Sequence, residues 1–392
     1  MSLLLFVQQC QIPLLYLTNI IGLGMKPGPF RVAVTLPILI FLVTQSFYRI
    51  EEMYYGDEYS MNCLSLCVVL MYLDWIILAS PDKERWYKIR YGKKEGDSQR
   101  EKDNIVPDHF FSRFWWGFRL ATTNRYTGWS QQVKNVRMEV SADYPKWLFV
   151  VRKLLRAGLF FVFVDVLDSY TAASPHGSYR GHENGKVPVG FLEQSLLRQF
   201  QLSWIHILIT YTSLELFNSL YAVASVVFGF ANPRDCPTLF GDLQEMYTVR
   251  KAWSITWHQM MRRICSNPGI VLARDVLQLR KGSFASKYMQ LFVTFFLSAV
   301  IHGGASMLAN QNFEDYGAFK YFMLQAVVIM IEDHVIDFGQ YLGFRDSMFW
   351  RIIGYTWTIL WFGLATIEYS SGQINRGMWI HKKGPDLFGV GP

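Results

Sequence analysis

Charge is scarce in this chain. Only 18% of its 392 residues are Asp, Glu, Lys or Arg, against about a quarter in soluble proteins. Disorder is thereby excluded, because a disordered chain is charged and poorly hydrophobic. Cysteine is scarce as well: Cys10, Cys63, Cys67, Cys236 and Cys265 are the five present. An odd number without metal-site spacing excludes a small disulfide scaffold, and Cys63 and Cys67, four apart in an apolar run, read as buried thiols. Also absent are Gly-x-Ser-x-Gly, a Walker loop, Gly-x-Gly-x-x-Gly after a strand, and His-Glu-x-x-His. Their absence argues against esterase, nucleotide-hydrolysing, dinucleotide-binding and zinc-protease chemistry. The eight histidines form no His-rich boxes, and no internal repeat of the transporter kind is visible.

Apolar residues are abundant. They make up 51% of the chain, with 30 Phe, 21 Tyr and 13 Trp. A membrane-spanning helix needs about 20 mainly apolar residues. Eight runs qualify: Leu4–Leu23, Phe30–Tyr48, Met61–Ser80, Trp147–Leu167, Ser203–Phe230, Lys287–Ala309, Phe319–Leu342 and Trp350–Tyr369. Gln8, Gln9 and Gln11 interrupt the first. Without a basic leader or a small-residue cleavage site, it reads as a retained helix. The chain is therefore expected to be all-α and polytopic, one membrane-embedded domain over residues 1–392 with about eight spans.

The net charge is +7. The basic residues collect between apolar runs, which favours an anionic membrane face or anionic substrate over nucleic acid. Pro81 to Lys146 holds 14 Lys+Arg, beginning Lys83, Arg85, Lys88, Arg90, Lys93 and Lys94, and Asn232 to Ser286 holds eight. Two spans separate these stretches, so they share a side, and the positive-inside rule makes that side cytosolic. Alternation then puts Lys26 and Arg31 in the cytosol and Glu51, Glu52, Asp57 and Glu58 in the lumen. Trp and Phe crowd both basic stretches, which predicts amphipathic helices in the interface. Lys93–Asp103 reads as a charged linker and Pro175–Val187 as a lumenal loop.

An ionisable group inside a span costs at least about 2–3 kcal/mol and signals function. His302 is the outstanding case, with no charged residue within ten positions on either side. It lies about 22 Å along a helix from Lys287. Desolvation favours the neutral imidazole, a form able to accept a proton; the alternative is a structural histidine bonded to a carbonyl. His206, near a helix end, suggests an interfacial position, and His334 has Glu332 and Asp333 for neighbours. Glu332 and Asp333, on the next helix, are candidates to orient His302 or to pair with a base and structure the bundle. A helix over 250–264 would place Trp253, Trp257, Met260, Met261 and Ile264 in an apolar stripe. Arg250, Ser254, His258 and Arg262 would form a polar line beside it. That edge suits anionic lipid, or a nucleotide-thioester phosphate met by arginine forks.

These residues resemble a known family. Pro237-Thr-Leu-Phe-Gly241 followed by Trp253-Ser-Ile-Thr-Trp-His-Gln-Met-Met-Arg-Arg263 is similar to the signature of the wax synthase-like branch of membrane-bound O-acyltransferases. Phe296-Leu-Ser-Ala-Val-Ile-His302 resembles that branch's histidine helix. Asn124-Arg-Tyr-Thr-Gly-Trp129 with Val133-Lys-Asn135 resembles an upstream element of fungal members. Leu324-Gln-Ala with Ile331-Glu-Asp333 resembles a downstream one. Ala252 replaces the usual Phe, and Arg125-Tyr126 the usual Arg-Gly. The resemblance implies acyl transfer from acyl-CoA to a hydroxyl, with His302 and His258 at the two functional positions and neither a metal nor a covalent acyl-enzyme. Fungal relatives of this length are commonly O-acetyltransferases of terpenoid, meroterpenoid or mycotoxin pathways.

The expected function is transfer of an acetyl group from acetyl-CoA, a co-substrate, to a hydrophobic alcohol acceptor at the lipid bilayer, with the endoplasmic reticulum as the expected location. His302 and His258 are the catalytic candidates, and Arg250, Arg262, Arg263 and Trp257 the acyl-CoA contacts, with Glu332 and Asp333 in support. A long-chain wax- or sterol-ester synthase and a polytopic transporter are the alternatives. The topology predicts that cysteines introduced near Lys93 and Arg280 are labelled only when the cytosolic face is accessible. Labelling of either from the lumen would overturn it.

Overall fold

The computed structural model describes residues 3–50, 53–89, 91, 106–179, 190–381 and 387. Glu51, Glu52, Arg90, the Lys93–Asp103 linker, His182 and the part of the 175–187 loop from residue 180 lie outside them.

Each apolar run is helical. The first is a bent pair, α1 (Leu3–Gln9) and α2 (Gln11–Gly24). Then follow α3 (Pro29–Thr44), α4 (Tyr55–Tyr72) extended by a π-turn over Leu73–Ile77, the short α5 (Ser80–Lys83) and α6 (Phe110–Ala121). The long pair α7 (Lys146–Ala173) and α8 (Leu196–Val227) packs together. Next come α9 (Val249–Lys251), α10 (Arg262–Val271), α11 (Phe284–Asn310), α12 (Ala318–Tyr341), α13 (Met348–Ala365) and α14 (Ile367–Asn375). Among the described residues, four helices are long and apolar enough to cross a membrane: α3 and α4 with their extensions, α8 and α11. The α1–α2 pair, bent by 79°, makes a fifth if counted as one span. The remaining runs are helical too, but α7 and α12 carry more charge. Two-residue strands β1 (Ser178–Tyr179) and β2 (Ile380–His381) pair in parallel.

The glutamines that interrupt the first run explain its bend. Gln11 Nε2 donates to the Leu42 carbonyl at 2.7 Å, and Gln8 Nε2 to the Tyr48 carbonyl at 2.7 Å. Both side chains are buried. They satisfy carbonyls where α3 ends, groups left without helical partners. Nearby, Arg49 joins Glu58 at 2.7 Å and Gln11 Oε1 at 2.8 Å.

The other end of these helices is closed by ions. Asp82 accepts from Arg31 at 3.1 Å and from Arg113 at 2.7 Å. Arg31 also donates to the Ile76 carbonyl at 2.7 Å and Arg113 to the Leu23 carbonyl at 3.0 Å. One carboxylate thus ties α2, α3, α6 and the end of α4. Beside it, Trp75, Trp86, Trp116 and Trp129 fill one apolar core. A second core joins α11, α12 and α14 through Phe295, Tyr321, Phe322 and Tyr369. Leu155, Phe217, Val335 and Ile352 leave the helix exteriors apolar, as a lipid-facing surface requires.

Removing one partner of a buried charge cluster leaves the others uncompensated, at about 3–5 kcal/mol. Asp82→Ala is therefore expected to lower the melting temperature and folded yield of the detergent-solubilised protein sharply. An unchanged melting temperature would show that the carbonyl contacts alone hold the two guanidinium groups.

Candidate active site

The expected continuous helix over 250–264 does not form. Val249–Lys251 is helical and Ala252–Thr256 is a π-turn; the chain then opens and becomes helical again at Arg262. Distant side chains replace the missing helical bonds. Gln259 Nε2 donates to the carbonyls of Trp253 at 2.9 Å and Trp257 at 2.6 Å. The Ser254 carbonyl accepts from Asn135 at 3.0 Å and Arg262 at 2.8 Å. The polar line of Arg250, Ser254, His258 and Arg262 is accordingly broken up.

The segment instead forms an arm that enters the bundle and returns. It starts at Glu332 on α12, whose carboxylate accepts the Val249 and Arg250 amides at 2.8 and 3.0 Å. Farther in, Trp253 Nε1 donates to Gln325 Oε1 at 3.1 Å, two helical turns along α12. On the way out, Ile264 and Cys265 pack against Leu297 and Ile301 of α11, and Gly269 lies against Gln290 and Val293. The tip, Trp257–Met261, therefore reaches the level of His302.

A second loop supports that tip. Glu215 Oε1 accepts the Leu239 and Phe240 amides, both at 3.0 Å. Arg125 donates to the carbonyls of Pro237, Thr238 and Leu239 at 2.8–3.1 Å, and Asn218 adds a bond to the Pro237 carbonyl at 3.1 Å. Gly241 N–H donates to the Thr256 carbonyl at 2.8 Å. A Cβ at Gly241 would stand 2.1 Å from the Ile255 carbonyl oxygen, so this approach requires glycine. The contact sets Phe240 edge-on to Trp257 at 5.0 Å and to His258 at 5.8 Å.

His302 and His258 come together here. His302 stacks on Phe322, with centroids 4.5 Å apart and planes 10° apart. Its Nδ1 lies 2.8 Å from the Tyr59 hydroxyl and 3.7 Å from Cys63 Sγ. His258 Nδ1 is buried and has no hydrogen-bond partner among the described residues. Burial first, then the nearby His302 and the Arg125 guanidinium, hold the His258 pKa down to about 3, so its imidazole is neutral at cellular pH. Both rings remain partly accessible.

The other expected residues lie elsewhere. Asp333 pairs with Arg250 through bonds of 2.6 and 2.5 Å and with Lys287 at 2.7 Å, and accepts from Tyr288 at 3.0 Å. That register places Asp333 beside residue 288, about 21 Å of helix from His302. Neither Asp333 nor Glu332 orients His302: antiparallel packing of α11 and α12 pairs them with the opposite end of α11. Glu332 also accepts from Trp357 at 3.0 Å. Arg263 pairs with Asp74 at 3.4 Å and Glu84 at 2.7 Å. Among the described residues, Arg262 meets only neutral oxygens: the Ser254 and Lys134 carbonyls and Gln259 Oε1. Trp257 packs against Trp253, Phe240 and His258. His206 is buried within α8, edge-on to Tyr369, not at an interface. His334 bonds the Met330 carbonyl and stacks on Tyr288.

Several contributors escaped the sequence reading: Tyr59, Tyr369, Phe322, Gln325, Glu215 and the clamp role of Arg125. Glu215 and Gln325 gave a signal, as polar residues inside apolar runs. Tyr59 gave little, because tyrosine is common in this chain.

The sequence that builds this site is similar to known proteins. A family model described as "Membrane bound O-acyl transferase family" matches residues 236–324, from the Pro237–Gly241 loop through the arm and His302. "Acetyltransferase sirH" of Leptosphaeria maculans is 46% identical over 96% of this chain and 94% of its own length. "Acetyltransferase ple2" of Rhodocybe pseudopiperita is 27% identical over 75% of this chain and 72% of its own. "O-Mevalon transferase macI" of Penicillium terrestre is 27% identical over 94% of this chain and 84% of its own. Identity of that degree along nearly the whole chain settles its kinship: it belongs to the membrane bound O-acyl transferase family, as a membrane enzyme that moves an acyl group from a donor to an acceptor.

Proposed function

We propose that this enzyme transfers an acetyl group from acetyl-CoA to a hydroxyl of a hydrophobic secondary metabolite, of the terpenoid, meroterpenoid or mycotoxin class. The observation that carries this reading is the meeting of two histidine rings inside the bundle, one on a spanning helix and one on the inserted arm. Relatives named acetyltransferases support the acetyl donor.

In the proposed reaction the acceptor oxygen attacks the thioester carbonyl while His302 Nε2 takes the hydroxyl proton. The tetrahedral intermediate collapses to ester and CoA thiolate, and His302 returns the proton to the thiolate. General base catalysis of this kind is typically worth about 10²–10⁴-fold. In this reading His258 orients the thioester or meets the developing oxyanion; its buried Nδ1, without a partner among the described residues, supports that role. The apolar walls exclude water, which would otherwise hydrolyse the thioester. No metal, prosthetic group or covalent acyl-enzyme enters this scheme.

Eight spans in a single domain, set in the endoplasmic reticulum membrane, complete the proposal. The acceptor enters from the bilayer and CoA from the cytosolic side. In this reading Arg250, Arg262, Arg263 and Trp257 are the acyl-CoA contacts. Arg250 and Arg263 already face carboxylates, so a phosphate would have to share their donors. Among the described residues Arg262 meets only neutral oxygens, which leaves its positive charge for a phosphate in this reading.

The test uses membranes containing the protein, acetyl-CoA, longer acyl-CoAs and a panel of terpenoid alcohols, with acylated product read by mass. An acetylated alcohol is expected; a product only from longer acyl-CoAs would replace the acetyl assignment. His302→Ala is expected to lower turnover at least ~10²-fold with insertion intact, and near-normal turnover would remove His302 as base. Arg262→Ala is expected to raise the apparent Michaelis constant for acetyl-CoA with less effect on the alcohol. Unchanged constants per inserted molecule would leave Arg262 a purely structural tie.

A further inference from the structure

The hydrogen bond at the far side of the His302 ring has no assigned purpose, and it is made by a group from the first quarter of the chain. The Tyr59 hydroxyl lies 2.8 Å from Nδ1 and 2.6 Å from the Tyr369 hydroxyl. We propose that Tyr59, backed by Tyr369, is the positioning residue of His302: its oxygen accepts the Nδ1 proton and so leaves the Nε2 lone pair for the acceptor hydroxyl. This inference rests on the reading of His302 as base.

Hydrogen counting fixes the direction of this bond. A neutral imidazole carries one N–H, and which nitrogen holds it follows from the partner of the other. Nε2 acts as base only if Nδ1 keeps the proton, and Nδ1 then needs an acceptor. The expected carboxylates lie about 21 Å away along the helix, and Cys63 sulfur at 3.7 Å is a weak acceptor. A hydroxyl has one hydrogen and two lone pairs. Tyr369 gives the Tyr59 hydrogen a destination, so a Tyr59 lone pair is left to face Nδ1. Both tyrosines are buried. When His302 takes up a proton, this bond becomes charge-assisted and strengthens, which favours the transition state over the ground state. Phe322, stacked on the ring, holds its plane while the bond sets its rotation.

A second layer makes the assignment testable. One turn away, the Tyr55 hydroxyl donates to Gln373 Oε1 at 2.6 Å and lies 3.3 Å from Ser306 Oγ, and Gln373 Nε2 donates to Ser306 Oγ at 2.8 Å. The two layers use the same three helices at a spacing of four: Tyr55 and Tyr59 on α4, Ser306 and His302 on α11, Gln373 and Tyr369 on α14. Residues four apart share a helix face. The Tyr55 layer ties the helices without touching His302. Loss of the Tyr59 hydroxyl alone therefore leaves the packing in place.

The test is Tyr59→Phe, which keeps the ring and removes the hydroxyl, assayed in membranes with acetyl-CoA and the alcohol found by the panel above. Loss of a bond to a charged group predicts a fall in kcat of about 10- to 100-fold with both Michaelis constants unchanged. Tyr369→Phe is expected to act in the same direction by less. In a His302→Ala background, Tyr59→Phe is expected to cost nothing further, because the two residues act as a unit. Unchanged kcat for Tyr59→Phe, or an additive loss in the double variant, would overturn the assignment. A fully active His302→Ala protein would instead overturn the base reading itself, so the two failures are distinguishable.

Discussion

A polypeptide that turns back inside an apolar bundle must satisfy its backbone without water, because each bare N–H or C=O there costs several kcal/mol. The arm between α9 and α10 lives under that constraint. Glu332 takes the amides at its start, and Gln259, Asn135 and Arg262 take carbonyls along it. Glu215 and Arg125 do the same for the Pro237–Phe240 loop against which the arm rests. Much of the polar inventory of the interior is thus spent on backbone. The result is an irregular segment fixed firmly enough to bring an imidazole to the level of His302.

The same constraint explains what was legible in the sequence. The eight apolar runs announced helices because length and composition govern burial in lipid. His302 announced itself through the absence of charge around it. The arm did not, because a 3.6-residue pattern in residues 250–264 cannot reveal that Gln259 and Asn135 replace the helical bonds of Trp253, Trp257 and Ser254. Glu332 and Asp333 were noticed as carboxylates in an apolar run, but their partners depend on the register between α11 and α12, which sequence does not carry. Tyr59 lies some 240 positions from His302, and only the folded bundle joins them.

Local strain at Arg125 and Tyr126 fits the same economy. Their φ values are +56° and +54°, a region costing about 1–3 kcal/mol for a residue with a side chain. Glycine would adopt such a backbone more easily. Here Tyr126 is buried instead, packed edge-on against Trp75 and Trp86, and its hydroxyl accepts a bond from Trp75 at 3.2 Å. Arg125 gains three carbonyl contacts in return for its unusual backbone. Packing and hydrogen bonding offset what glycine would have avoided.

The two tyrosine layers also bear on how the protein is made. His302 meets groups from α4, inserted early, and from α14, which follows all the other helices in chain order. Tyr369 and Gln373 follow α11 in the chain and are made after it. Ser306 and His302 gain these partners only once α14 has packed against α11 and α4. Completion of the site therefore depends on α14: a chain ending before it would lack both Tyr369 behind Tyr59 and Gln373 beside Ser306.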